Sequence, residues 1–337
     1  MLIDHVKRLI ESGHLSADEA YSATSLIIAG AEEPAVVSSY LTALRLLGET
    51  GPELAGTARA LREHAVRVQL KDRPWVDTCG TGGSPVSTFN ISTAAAIVAS
   101  ACGVPVAKHG NRSFSSSSGS ADVLTALGVN VQAPPEVVAR SLEEIGLGFL
   151  FAPLWHPAMK HAAPVRQAIR FRTIFNLVGP LANPVGLAAQ IIGVGQATLL
   201  DPLAEAIQRL NIPRAAVVWG EDGTDEVSLS KPTHVRLICG NEISSHLWQP
   251  TDFGVAHCDV ADLAVSSPKQ SAQMIRDVLA GKPGGSADVV AANVSALLWV
   301  ANQASSLIDG MRTAQAAITS GKAALQLRRL VEITQGH

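Results

Sequence analysis

The stretch Asp77–Thr93, DTCGTGGSPVSTFNIST, decides how the rest of the chain is read. A short strand-like run, Val76 to Cys79, precedes its glycines, and an alanine-rich segment follows Thr93. This is the order of a strand-to-helix turn, and Gly80, Gly82 and Gly83 leave the backbone of that turn bare. Amides in such a loop, backed by a helix N-terminus, form a cradle for an anion with no side chain in the way. The spacing is neither G-x-G-x-x-G nor a P-loop, since no G-K-[ST] follows, so alone the cluster reads equally well as a tight turn.

Around this stretch the texture is that of alternating strands and helices. Candidate strands are Val76–Cys79, Val104–Ala107, Gly148–Phe151, Ile191–Val194 and Ala215–Trp219, separated by helical segments. Such alternation builds βαβ units around a mostly parallel sheet. HVRLICGNEISSHLW places Gly240 and Asn241 between two strand-like runs and predicts a hairpin. Helices return between Ser286 and Thr334. Residues 1 to about 70 are different: Leu2, Ile3, Val6, Leu9 and Ile10 recur at helical spacing, Ser16 and Glu19 form a capping box, and Pro34 suits a first helical position. The expected architecture is α/β: a helical N-terminal region over residues 1 to about 70, followed by a region built on a mostly parallel sheet.

Composition narrows the function classes. The 337 residues carry 26 basic and 29 acidic side chains, so a formal charge of −3 offers no global field for nucleic acid or an anionic membrane. Charged residues make up 16%, below the roughly 25% of ordinary soluble proteins, which fits a large alanine-padded interior. Cys79, Cys102, Cys239 and Cys258 show no C-x-x-C spacing and read as reduced thiols. The first residues, MLIDHVKRLIESG, form an amphipathic helix interrupted by Asp4, His5 and Lys7 rather than a secretory signal, and no apolar run is long enough to span a bilayer. A cytoplasmic protein is expected.

A second loop raises the case for phosphate. VAKHGNRSFSSSSGSADVL, Val106–Leu124, follows the next candidate strand and opens another helix, combining Lys108, His109 and Arg112 with Asn111 and hydroxyls from Ser113 to Ser118. Two cradles at the same end of neighbouring strands suit a ligand with two separated phosphates, such as phosphoribosyl pyrophosphate. In GEDGTDEVS, Gly220–Ser228, Asp225 stands beside Glu226. Adjacent carboxylates on a loop are usually solvated, but beside pyrophosphate oxygens they would hold Mg²⁺, which prefers one or two carboxylates plus substrate phosphates. HPAMKHAAPVRQAIRFRTIFNLVGPLANP supplies His156, Arg166, Arg170 and Arg172. One of these arginines could clamp a substrate carboxylate through two parallel hydrogen bonds, although each by itself reads as a water-facing helix arginine.

CGTGG…TFNIST, KHGNR…GSADVL, HPAMK…VR…RTIFNLVGPLANP and DGTDE occur in that order, and together they resemble the anthranilate phosphoribosyltransferases over nearly the whole chain. The resemblance implies a small all-helical N-terminal domain over residues 1–70, rejoined by helices around 160–185, and a larger α/β domain over 71–337, with the active site at the hinge. It implies transfer of phosphoribose from phosphoribosyl pyrophosphate to the amine of anthranilate, and a homodimer formed through the helical domains. Carried over by position, it implies that Gly80, Gly83, Ser84, Thr88, Asn90, Ile91, Ser92, Thr93, Lys108, His109, Gly110, Asn111, Arg112, Ser115, Ser116 and Ser120 bind phosphoribosyl pyrophosphate. Ser92, Asp225 and Glu226 would hold Mg²⁺. Gly80, Asn111 and Arg166 would contact anthranilate, with His109 and His156 lining its approach, and Lys108, Asn111 and Arg166 would form the catalytic set.

The chain departs from the family pattern in places. Ser84 and Pro85 follow Gly83 where the family continues G-G-D-G, Ser117 stands at a usually basic position, Arg170 at a usual glycine and Trp219 at a usual histidine. Three of these are expected to border the phosphate or acceptor sites. They leave open a relative acting on another aromatic or heterocyclic acceptor, and a weakly catalytic binding protein on the same fold.

Overall fold

The structure, a computed structural model, describes residues 1–112 and 118–336. Capping chemistry marks out the helical N-terminal domain, whose helices are α1 (Leu2–Ser12), α2 (Ala17–Ala29), α3 (Pro34–Leu47) and α4 (Gly51–Glu63). Ser16 and Glu19 form the predicted box, the serine hydroxyl accepting from the Glu19 amide at 3.3 Å and the glutamate accepting from the Ser16 amide at 2.8 Å. Glu53 makes a second box with Thr50 and also accepts the Leu15 amide at 2.9 Å. This fully buried carboxylate therefore ties α4 to the turn between α1 and α2.

The α/β domain begins with β1 (Val76–Gly80), α5 (Ile91–Ala101), β2 (Val106–Gly110), α6 (Ser120–Ala126), α7 (Pro135–Ile145) and β3 (Leu147–Phe151). Three short helices follow, α8 (Ala152–Trp155), α9 (Ala163–Ile169) and α10 (Ile174–Leu177). The chain then returns through β4 (Ala189–Gly193), α11 (Leu200–Arg209), β5 (Arg214–Gly220) and the hairpin β6 (Thr233–Cys239) to β7 (Glu242–Trp248). It closes with α12 (Pro268–Leu279), α13 (Gly285–Val300), α14 (Leu307–Thr319) and α15 (Lys322–Gln335).

The seven strands form one sheet in the order β3-β2-β1-β4-β5-β6-β7. The first five are parallel, and the predicted hairpin adds β6 and β7 antiparallel at one edge. From β1 the chain winds one way to β2 and β3, and then the other way to β4 and β5. The order reverses between β1 and β4, and a crevice opens at the carboxyl ends of strands where such a reversal occurs.

Two differences from the sequence reading bear on the site. Strand β2 starts after Pro105 and runs to Gly110, instead of ending at Ala107, so Lys108 and His109 pair with Phe149 and Leu150 inside the sheet. Pro105 has no amide to give to a ladder, which delays the strand by two residues. Helix α12 also precedes the expected helical region; Ser267 caps it by accepting the Gln270 amide, and Ala272, Ile275, Val278 and Leu279 form its buried stripe.

Alternation along the strands feeds two cores. Ala216 and Val218 of β5 face the layer that holds α5 and the C-terminal helices. Ala215 and Val217 face the other side, where they join α11, α1–α4 and the 162–182 segment, including Ala162, Val165, Phe175 and Leu181. The helical layer is thus built from two stretches distant in sequence, and it packs over the strand ends where the crevice opens.

Candidate active site

Glycine on two neighbouring strands makes room for the site. Gly80 and Gly193 end β1 and β4 as register partners. A Cβ on Gly193 would lie 1.7 Å from the Asp225 carbonyl oxygen, and one on Gly80 would lie 2.6 Å from Asp225 Oδ2. The acidic loop after β5 can therefore cross the strand ends only over bare backbone. It is shaped from within by Asp222, whose carboxylate accepts the Thr224 amide and hydroxyl at 3.0 and 2.7 Å and the Ser228 hydroxyl at 2.5 Å.

A cavity of about 940 Å³ occupies the crevice between the two domains. The strand-end loops form one side, and Leu61, Met159, Arg166 and Phe175 from the helical layer contribute to the other. Gly80, Gly83, Ser84, Thr88, Asn90, Ser92, Lys108, His109, Gly110, Asn111, Arg112, Ser120, His156, Arg166, Asp225 and Glu226 all line it. Ser115 and Ser116, and the departure at Ser117, lie outside the described residues.

Ile91 and Thr93 do not line the cavity. Ile91 is 1% exposed and belongs to the hydrophobic core, and the amides of both residues are engaged by Phe89 and Asn90 carbonyls. Helical geometry explains this, because only Ser92 of the first turn of α5 faces the loop while its neighbours turn inward. Two other departures also lie away from the cavity. Arg170 is an exposed C-terminal cap of α9 in the left-handed conformation, φ 55°, which accounts for glycine as the usual residue there. Trp219 packs on His234, their ring centroids 5.5 Å apart.

Several predicted contacts are already in use within the protein. The Asn90 side chain accepts the Ser118 and Ser271 hydroxyls, each at 2.7 Å, and donates to the Ser118 carbonyl, so it ties the first loop to the second. The Ser84 hydroxyl donates to the Gly223 carbonyl at 2.7 Å, and Pro85 packs against the same glycine. The two residues that replace the usual D-G thus dock the glycine loop on the acidic loop. Arg112 pairs with Asp122 at 2.7 Å.

Charge is concentrated around Lys108, which is buried and donates from Nζ to the Thr78 carbonyl, with the Ser92 hydroxyl at 3.4 Å. Glu226 accepts the Ser92 amide at 3.1 Å, placing a carboxylate at the N-terminus of α5. Burial and the neighbouring Asp225 charge nevertheless push Glu226 up to about 8, and burial raises Asp225 as well. Burial also drives the Cys79 thiol up to about 12, which removes it as a nucleophile.

On the acceptor side, His109 and His156 meet edge to face, ring centroids 5.2 Å apart, and burial lowers them to about 3 and about 4. Both are neutral at physiological pH. The Arg166 side chain has no hydrogen-bond or ion-pair partner among the described residues; its guanidinium lies 5.8 Å from the Phe175 ring centroid.

Residues that the sequence reading left unassigned support this arrangement. Asp77, fully buried under the site, accepts the His109 amide at 3.3 Å and Asn183 Nδ2 at 2.9 Å. Burial raises its carboxyl to about 6 against the opposing pull of Lys108. A lone acid within an apolar strand was the available signal for Asp77; Asn183 had none.

Residues 3–65 match the helical bundle domain of the glycosyl transferase family, and residues 72–324 match the α/β domain of that family. An anthranilate phosphoribosyltransferase of Desulfatibacillum aliphaticivorans is 44% identical, with 99% of each chain covered. The crystal structure of anthranilate phosphoribosyltransferase from Thermus thermophilus superimposes with a TM-score of 0.91 at 42% identity, covering 98% of this chain and 99% of that one. The Saccharomyces cerevisiae enzyme in complex with phosphoribosyl pyrophosphate and Mg superimposes with a TM-score of 0.92 at 29% identity, over 100% and 98% of the two chains. The fold is that of a phosphoribosyl-transferring glycosyltransferase. Within that class, the chain belongs to the anthranilate phosphoribosyltransferase family.

Proposed function

We propose that this chain transfers phosphoribose from phosphoribosyl pyrophosphate to the amine of anthranilate and releases pyrophosphate, a step of tryptophan biosynthesis. The observation that carries this reading is a single cavity lined both by Lys108, Ser92, Asp225 and Glu226 and by the unpaired Arg166. One group suits a metal-bound pyrophosphate, the other a carboxylate-bearing acceptor.

Mg²⁺ fits the donors present. Asp225 and Glu226 are adjacent carboxylates whose raised protonation reflects burial with too little positive charge, a deficit that a divalent cation removes. Among the described residues no group of three or more His, Cys, Asp or Glu could hold a metal, so oxygens of the substrate would complete the shell. Bound there, the ion would neutralise charge on the pyrophosphate. Lys108 lies beside Ser92 and stabilises the negative charge that grows on the leaving oxygen as the C1–O bond breaks. Gly80, Gly82 and Gly83 let the phosphates approach the backbone. Arg166 holds the acceptor carboxylate so that the amine faces C1, and His109 and His156 line the approach without adding charge. An aromatic amine is neutral at pH 7, so positioning of the two substrates supplies much of the rate.

The 158–182 segment belongs on this reading to the helical domain, supported by the core it shares with α1–α4. A homodimer through that domain is supported by Met1, which precedes α1, Ile10 of α1 and Leu46 of α3, apolar side chains that are 78%, 75% and 81% exposed. The compartment proposed is the cytoplasm, in keeping with four unpaired cysteines; no described helix is long and apolar enough to cross a membrane. Pyrophosphate release with and without anthranilate, at several Mg²⁺ concentrations, tests the activity. Release that requires both anthranilate and Mg²⁺ is expected, and release indifferent to anthranilate would move the acceptor to another compound.

A further inference from the structure

We propose that Arg172 is a positioning residue for this reaction, holding the glycine loop so that the loop and the Asp225 carboxylate form one preorganised surface for pyrophosphate. The inference rests on the transferase reading above and concerns a residue that touches the loop rather than the reacting atoms.

Arg172 lies in the bend between α9 and α10 and lines the cavity. Its Nη2 donates to two successive carbonyls of the glycine loop, Thr81 at 2.7 Å and Gly82 at 3.0 Å. In a planar trans peptide the C=O and the following N–H point in opposite directions. Holding the Thr81 carbonyl therefore turns the Gly82 amide to the far side of the peptide, where it favours the charged form of the Asp225 carboxylate. The 81–82 peptide is held by a cation on its oxygen, while its amide favours the charged Asp225 carboxylate. The two bonds from Arg172 are charge-assisted, the stronger kind.

The loop needs such a grip. Gly82 and Gly83 have φ values of 65° and 84°, a conformation that glycine reaches without strain but does not itself favour over others. Gly83 also leaves room for the guanidinium: a Cβ there would lie 2.7 Å from both Arg172 Cζ and Nη1. A lysine would bring the charge on a flexible stem without the planar guanidinium.

A second influence on Arg172 comes from the helical domain, through charge rather than contact. Glu49, between α3 and α4, is 7% exposed, its Oε1 has no hydrogen-bond partner, and it attracts Arg172 electrostatically. Arg172 is thus bonded to the substrate loop of one domain and attracted by a buried acid of the other. Its removal should loosen the phosphate end of the cavity and leave the carboxylate-binding end, where Arg166 lies, in place.

The test compares wild type, Arg172→Ala and Arg172→Lys in steady-state assays that vary phosphoribosyl pyrophosphate, Mg²⁺ and anthranilate separately. Arg172→Ala is expected to lower kcat/KM for phosphoribosyl pyrophosphate about 10- to 100-fold, while KM for anthranilate stays within about twofold. Arg172→Lys should recover only part of the loss. Millimolar guanidinium chloride should restore activity to Arg172→Ala and leave wild type unstimulated, a rescue that a general folding defect would not show. If Arg172→Ala does not fold, Arg172→Lys carries the test through the same substrate-selective defect. An active wild type with unaltered Arg172→Ala kinetics, or a loss shared equally by both substrates without rescue, overturns the positioning role alone. An inactive wild type overturns it together with the transferase reading.

Discussion

Gly80 lies directly beneath Asp225: a Cβ there would meet the carboxylate oxygen Oδ2 at 2.6 Å, and its register partner Gly193 sits under the backbone of the same residue. The two glycines predict different failures. Gly80→Ala needs only the carboxylate to move, so the fold should persist while kcat/KM falls about 10- to 100-fold through misplaced metal binding. Gly193→Ala would force backbone apart and should destabilise the protein by about 1–3 kcal/mol, as overpacking does. Pyrophosphate release and thermal melting, run on both variants, separate the two effects.

Glu226 gives a pH dependence with a definite sign. Its pKa rises on folding from the ordinary glutamate value to about 8. The stability it contributes is present below the unfolded pKa and is lost as pH rises through the folded one. Metal-free protein should therefore lose stability relative to Glu226→Gln between about pH 4.5 and about pH 8, and Mg²⁺ should recover it in wild type but less in the variant. The comparison with Glu226→Gln isolates this group from His109 and His156. Both are lowered by burial and contribute the opposite slope, gaining stability with rising pH up to the ordinary histidine range. Parallel melting curves across that window would remove Glu226 from the metal site.

Arg166 is expected to act on the acceptor. A lost charge-assisted hydrogen bond is worth about 1.5–3 kcal/mol, so Arg166→Ala should lower kcat/KM for anthranilate roughly 10- to 100-fold. Aniline, which lacks the carboxylate, should be used about equally by variant and wild type. Equal losses for both amines would place the carboxylate contact elsewhere.

Arg170 carries strain without an evident return. Its left-handed conformation costs a non-glycine residue roughly 1–2 kcal/mol, part of which glycine gives back through the entropy of its unfolded chain. Arg170→Gly should therefore raise stability by about 0.5–1 kcal/mol and leave the kinetics unchanged, since the side chain is exposed and outside the cavity. A fall in melting temperature would show that the guanidinium makes a compensating contact.

The proposed dimer is tested at Ile10 and Leu46, exposed apolar side chains of α1 and α3. If they lie in its interface, Ile10→Asp combined with Leu46→Asp should turn a dimer into a monomer in sedimentation or light scattering, because each charge would be buried unpaired. A wild type that is monomeric at micromolar concentration would show that these side chains simply face solvent.

How much of this was legible in the sequence depends on the range of the interaction responsible. Capping boxes, the Gly240–Asn241 hairpin, strand alternation and the strand–glycine–helix turn at Asp77–Thr93 are local signals, set by residues a few positions apart, and they were sufficient for the α/β class and for the loops that carry the site. The start of β2 was misplaced because Pro105 competes with an apolar pattern that extends past it on both sides. Helix α12 was missed because its apolar stripe is interrupted by polar residues and becomes evident only against the core it covers.

By itself the sequence determined the order of elements, the anion-binding chemistry of two loops and the motifs that mark the family. Only the tertiary structure decided what each loop touches. It set Ser84 on Gly223, 139 residues away, and Arg172 on Thr81, 91 residues away. It withdrew Ile91 and Thr93 behind the cavity wall. The physical reason is that local patterns report backbone conformation and amphipathicity. The charge environment of Glu226, the pairing of Asp77 with Asn183 and the fit of Asp225 over two glycines depend instead on where distant segments meet once the sheet reverses direction between β1 and β4.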